Sequence, residues 1–264
     1  MKKFLHDVPD ILYKYRDWQD PYHKRLLTDR ELYFASVDQF NDPFDGTIPY
    51  KYDPVELTED NIFRKYYLMT KRDHPDWEDV KIHAECFEYQ RRGYFHDEKH
   101  LEDFEREALD DVKRQFGIVC LCRRPDNFLL WSHYSKSHTG ICIGFNKVLL
   151  FEDAHAQFAH MQYQEKLPML GLFDNVFTHF AKLIGTKSNI WEYEDEYRLT
   201  RAEFARGKQV LRKETIEEVI LGCRMPQSER QSIVEFLSAE FPHARVYEMV
   251  LSKTDFKIER MQIR

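Results

Sequence analysis

Polar and apolar positions alternate most regularly at residues 191–198, where Trp191, Tyr193, Asp195 and Tyr197 would share one face of an extended chain. Glu192, Glu194, Glu196 and Arg198 would share the other. The pattern predicts a strand running to residue 200, with Tyr193 and Tyr197 buried behind it and Glu194 and Glu196 facing one cleft. Three carboxylates beside one guanidinium repel one another across a sheet face. A binding or catalytic surface tolerates that cost more readily than a scaffold does. The competing explanation is a salt-bridged strand in which Arg198 satisfies its neighbouring carboxylates.

Elsewhere the period changes along the chain. Residues 11–16 and 31–36 read as short strands joined by a helical turn at 22–27, and 40–46 reads as a turn punctuated by Asn41-Asp42-Pro43 and Asp45-Gly46. Residues 56–116 switch to helical spacing, with Thr58 as a cap and Gly117 as a stop. Strand patterns return at 118–122, 140–145 and 157–163, with a helical turn at 127–134 and a second helical segment at 168–184. The end predicts a strand at 217–221, an amphipathic helix at 227–240 behind Pro226, and strands at 245–250 and 256–263. The expected fold class is α+β: a single domain over residues 1–264 with a mixed, largely antiparallel sheet and a helical insertion at 56–116.

Composition narrows the function classes. With 264 residues, 42% of them hydrophobic, the chain can bury a substantial core, and only 9 Gly and 10 Pro argue against long linkers. A formal net charge of −7 gives no global attraction to nucleic acid or to an anionic membrane surface. The five cysteines are scattered without a C-x-x-C pair and read as reduced thiols. The first ten residues lack the apolar run of a secretory leader, and no stretch of about 18 apolar residues occurs. The expected location is cytoplasmic, with no membrane partner.

Several blocks occur in one order: Leu12-Tyr13-Lys14-Tyr15-Arg16, Leu32-Tyr33-Phe34, Phe40-Asn41-Asp42-Pro43-Phe44-Asp45, Trp131-Ser132-His133-Tyr134, His138-Thr139-Gly140-Ile141-Cys142, and Trp191-x-Tyr193-Glu194-x-Glu196-Tyr197-Arg198. Together they resemble a bacterial family known as domain-of-unknown-function family 2971, which implies no established activity. A more distant resemblance is to the ADP-ribosyltransferases, which carry an Arg or His on an early strand, a hydroxyl residue on the next and a late carboxylate strand. By that resemblance Arg16, Tyr33 and Ser36 would hold NAD and Glu196 and Glu194 would be catalytic. No Ser-Thr-Ser triplet is present, and Arg16 is not followed by Gly.

The implied chemistry is cleavage of the glycosidic bond of NAD. Glu196 would stabilise the oxocarbenium-like ribose, Glu194 would meet a macromolecular acceptor, protein or nucleic acid, and Arg16 would grip a phosphate or ribose oxygen. Phe44 could stack on a nicotinamide or base ring, although a buried turn residue explains it equally well. Trp131, His133 and Tyr134 would line the NAD pocket or, in part, simply pack. The spacing of His133 and His138 suits no metal motif, so no metal ligand is expected. By analogy with the company such bacterial families keep, the role would be that of a toxin or phage-defence effector. Two further readings stay open: a non-enzymatic nucleotide-sensing or binding module, and a metal-dependent nuclease.

Overall fold

The computed structural model describes residues 7–47, 49 and 51–264. The chain opens with β1 (Ile11–Arg16), α1 (Pro21–Thr28) and β2 (Glu31–Tyr33), followed by the predicted helices α2 (Glu59–Asp73), α3 (Asp79–Arg92) and α4 (Glu98–Gln115). Next come β3 (Gly117–Cys122), α5 (Phe128–Tyr134), β4 (Ile141–Asn146), α6 (Lys147–Ala154), β5 (Gln157–His160), β6 (Gln162–Gln164), α7 (Val176–Gly185) and β7 (Thr186–Ser188). The chain ends with β8 (Glu196–Arg201), β9 (Lys208–Val210), β10 (Ile216–Leu221), α8 (Gln227–Glu240), β11 (Arg245–Leu251) and β12 (Ile258–Gln262). The class is α+β, as the periodicity implies. Among the described residues no helix is long and apolar enough to cross a membrane.

Two compact units share the chain. The first comprises residues 7–40, Arg114–Tyr163 and Asn189–Arg264; the second comprises Asn41–Lys113 and Gln164–Ser188. The first is organised by an eight-stranded sheet in the order β12-β11-β10-β4-β1-β3-β8-β5. Its neighbours are antiparallel except β10 and β11, which α8 joins as a parallel crossover. Alternation assigns each strand residue to a face. Leu12, Val119, Leu121, Ile143, Phe145 and Leu199 pack on one face against Leu26 and Leu27 of α1, Leu150 of α6 and Ile233 and Leu237 of α8. Tyr13, Tyr15, Cys122, Cys142 and Met249 pack on the other with Leu130 and Trp131 of α5.

The second unit is helical around a small aromatic core. Ile62 and Tyr66 of α2 meet Ile82 and Cys86 of α3 and Leu172, with Phe63, Trp77, Tyr89 and Phe95 packed around them. Thr58 caps α2 by accepting the Asn61 N–H, as its residue type predicts, and Gly93 closes α3 at φ 67°.

The strand expected over 191–200 is the main departure. Residues Asn189–Glu194 form a 3₁₀ helix, Asp195 turns left-handed at φ 44°, and the strand begins only at Glu196. Period-2 spacing alone does not separate an extended segment from a short tight helix ended by such a residue. The second predicted strand likewise stops at Tyr33, and Ser36 leads into a 3₁₀ turn at Val37–Gln39.

Candidate functional site

β1 meets its two neighbours very differently. Against β4 it pairs at every position from Ile11↔Asn146 to Arg16↔Ile141. Against β3 the register contains one pair, Tyr13↔Cys122. Beyond that pair the Lys14 ammonium does what a partner strand would do, donating to the Cys120 carbonyl at 2.7 Å. A side chain therefore fills a gap in the sheet.

Lys14 and Arg16 share the face of Leu12, where the first turn of α1 brings His23 beside them. Asp20 caps that turn by accepting the Tyr22 and His23 N–H groups, which fixes the approach of the helix. Burial and the Arg16 charge pull the Lys14 ammonium down to about 7. Burial brings the Arg16 guanidinium down to about 10. The His23 imidazole is lowered by burial and by Arg16, and its Nδ1 is buried without a hydrogen-bond partner among the described residues. The Arg16 side chain makes no hydrogen bond or ion pair among the described residues, although the residue is partly buried.

Glu196 and Arg198 lie on the opposite face, since Tyr197 and Leu199 pack with Leu12. Arg198 is fully buried and its Nε donates to Glu196 Oε1 at 2.7 Å, with the Phe40 ring 5.1 Å from the guanidinium. Glu194, on the 3₁₀ helix, accepts the Tyr134 hydroxyl at 2.8 Å. The Glu196 backbone N–H donates to the Tyr163 hydroxyl oxygen at 2.8 Å. Lys14, in the gap, lies within electrostatic reach of both Arg16 and Glu196.

The predicted constellation is thus only partly assembled. Glu194 and Glu196 do not alternate along one strand, because Asp195 breaks the extended backbone between them. Arg16 and Glu196 point from opposite faces, because β1 and β8 present them out of phase with the shared apolar layer. Tyr33 belongs to a separate two-stranded sheet with β9, and its hydroxyl donates to Gln39. Ser36 is buried at the head of its 3₁₀ turn. Trp131 is a core residue whose ring N–H donates to the Pro125 carbonyl at 2.7 Å. His133 is exposed on α5, Tyr134 holds Glu194, and Phe44 belongs to the second unit.

Sequence reading missed Lys14 and His23. Lys14 looked like the polar member of an alternating strand, and only the missing β1–β3 ladder gives it a task. The Ser132 and His138 pair, 2.9 Å apart, was also hidden by a left-handed run through Lys136, Ser137 and His138. Ser132 Oγ also lies 3.2 Å from the Phe128 carbonyl, so its one hydroxyl proton has two acceptors in reach and no third group orients His138 as a base, whose Nδ1 has no hydrogen-bond partner among the described residues.

A family model described as Protein of unknown function (DUF2971) matches residues 130–199, a stretch that holds Tyr134, Glu194, Glu196 and Arg198. No curated protein and no solved structure matches the chain. Over residues 130–199 the chain is therefore similar to domain-of-unknown-function family 2971.

Proposed function

We propose that the chain is a binding protein for a phosphate-bearing ligand of the nucleotide class, NAD included, with the anion seated on Arg16, Lys14 and His23. The observation that carries this reading is Arg16, a partly buried guanidinium without an ion pair or hydrogen bond among the described residues. Removing such a fork from water without a partner costs free energy, and a phosphate recovers it through parallel charge-assisted hydrogen bonds. Lys14 adds a second cation beside it, and no carboxylate forms an ion pair with either one among the described residues.

ADP-ribosyl transfer is the second reading, and the proximity of Lys14 to Glu196 favours it. Glu196 points from the opposite face of the sheet, so a ligand held on Arg16 would have to reach it through the gap that Lys14 fills. Glu196 would have to share its bond to Arg198 to act there.

Calorimetric titration of the full chain with NAD, ADP-ribose and AMP tests the binding. Arg16→Ala should weaken each ligand at least about tenfold while leaving the thermal midpoint in place. Equal affinity in Arg16→Ala and wild type would overturn the assignment. Labelled NAD with cell extract separates the two readings: label transfer or nicotinamide release that disappears in Glu196→Gln selects the transferase, and binding without turnover selects the sensor.

A further inference from the structure

The second unit contains a pocket of about 210 Å³ built by the Asn41–Gly46 turn, the segment at 164–168 and β7. The turn is rigid for local reasons. Asp42 Oδ1 accepts the Phe44 N–H at 2.9 Å, Asp45 N–H donates to the Asp42 carbonyl at 3.1 Å, Thr47 Oγ1 donates to the Pro43 carbonyl at 2.9 Å, and Gly46 takes φ 73°. That geometry turns Asp42 and Asp45 inward, at 7% and 6% exposure, and leaves Phe44 64% exposed at the rim. A large aromatic held out to solvent on a fixed turn is a surface prepared for stacking.

The lining carries three carboxylates, Asp42, Asp45 and Glu165, against two ammonium groups, Lys166 and Lys187. Lys187 on β7 is buried and its Nζ lies 3.8 Å from Asp45 Oδ2, so these two offset one another. The Asp42 carboxylate makes no ion pair among the described residues, and the one hydrogen bond it accepts there is from the Phe44 N–H of its own turn. A second buried carboxylate in a small cavity therefore asks for N–H donors from outside. The volume is below the roughly 300 Å³ at which drug-sized ligand sites begin. One ring system fits, but a dinucleotide does not.

We propose that this pocket binds a planar group presenting two adjacent N–H donors, the edge of a guanine base or a guanidinium, with Asp42 accepting the paired donors and Phe44 covering the flat face. The shape matches the bidentate geometry that carboxylates form with such groups. Phe44 contributes through its ring face, by stacking on a base or by attraction to a delocalised cation. Thr186 and Gln164 on the lining supply further polar contacts to the ring edge. The site is independent of the anion site on Arg16, because neither donor group carries a phosphate.

Ligand-observed NMR titration of the full chain with guanosine, inosine, adenosine and methylguanidinium tests this without any phosphate. Guanosine should bind at least about tenfold more tightly than inosine or adenosine, which lack one or both of the adjacent donors. Asp42→Asn keeps the Oδ1 acceptor that the turn needs but loses the charge, and should weaken guanosine and methylguanidinium at least about tenfold. Phe44→Ala, at an exposed position, should weaken guanosine about three- to tenfold. Tighter binding of methylguanidinium than of guanosine identifies a guanidinium as the source, and the reverse identifies a base. Adenosine binding as well as guanosine, no probe binding at all, or unchanged affinity in Asp42→Asn would each overturn the proposal. A loss confined to Arg16→Ala and phosphate ligands leaves this pocket unaffected, so the two sites fail separately.

Discussion

Along one edge β1 is sealed to β4 by six consecutive register pairs, and along the other it touches β3 at the single pair Tyr13↔Cys122. The sealed edge is held by backbone, with glycine where space is tightest. The open edge is held by a lysine side chain and flanked by charges, with Arg16 on one face and the Glu196–Arg198 pair on the other. Where the ladder continues, the sheet needs nothing polar between its strands. Where it stops, unpaired carbonyls and ionisable side chains gather, and a ligand can take part in satisfying them.

The largest test of this contrast is at the open edge. Arg198→Ala would leave Glu196 buried without the guanidinium that it accepts from, and should destabilise the fold by about 3–5 kcal/mol in urea titration. Replacing both partners, as Arg198→Met with Glu196→Leu, should recover most of that loss if the pair is a scaffold, because a packed apolar pair avoids the desolvation cost. At the sealed edge, a Cβ on Gly140 would fall 2.2 Å from the Arg16 carbonyl oxygen and 3.0 Å from that of Ser135. Gly140→Ala should therefore cost about 1–3 kcal/mol by the same measurement, through backbone displacement and not through charge.

The smallest effect expected is on anion binding, through its pH dependence. An ordinary lysine titrates at 10.5, and Lys14 in the fold at about 7, surrounded by Arg16, Cys120, Cys122 and Glu196. Below pH 7 both folded and unfolded chains hold this proton, so the cost of burying the charge is fully present. Between about 7 and 10.5 the folded chain releases the proton first, and stability from this group rises with pH. Anion binding should run the other way. Sulfate, which does not titrate in this range, should bind up to about tenfold more weakly at pH 8.5 than at pH 6. Lys14→Met should flatten the profile, and a profile of unchanged steepness in that variant would assign the titration to another group.

Much of the sheet was legible in the chain. Ile11–Arg16 alternates at strand length, Ile141–Asn146 is a short apolar run, and Gln227–Glu240 between two strands is the pattern of a parallel crossover. α6 was not legible, because Val148-Leu149-Leu150-Phe151 extends the apolar run of β4 and only the Asn146 side chain, accepting from Val148 and Leu149 N–H groups, marks the change to a helix. The late carboxylate strand was half legible: Glu196 and Arg198 share a face, but Asp195 with positive φ removes Glu194 from it. Site residues fared worse, since Lys14 and His23 are ordinary in sequence and become a cluster only when α1 folds back onto β1.

The single Tyr13↔Cys122 pair also has a consequence for motion. β3, β8 and β5 form an arm joined to the remaining strands by fewer register pairs than join any other neighbours in the sheet. Separation along that line breaks the fewest backbone bonds, so amides bordering it should exchange with solvent through local opening at a lower free energy than those of β4 and β10. The sheet carries a built-in line of breathing, and Lys14 sits on it as the pin.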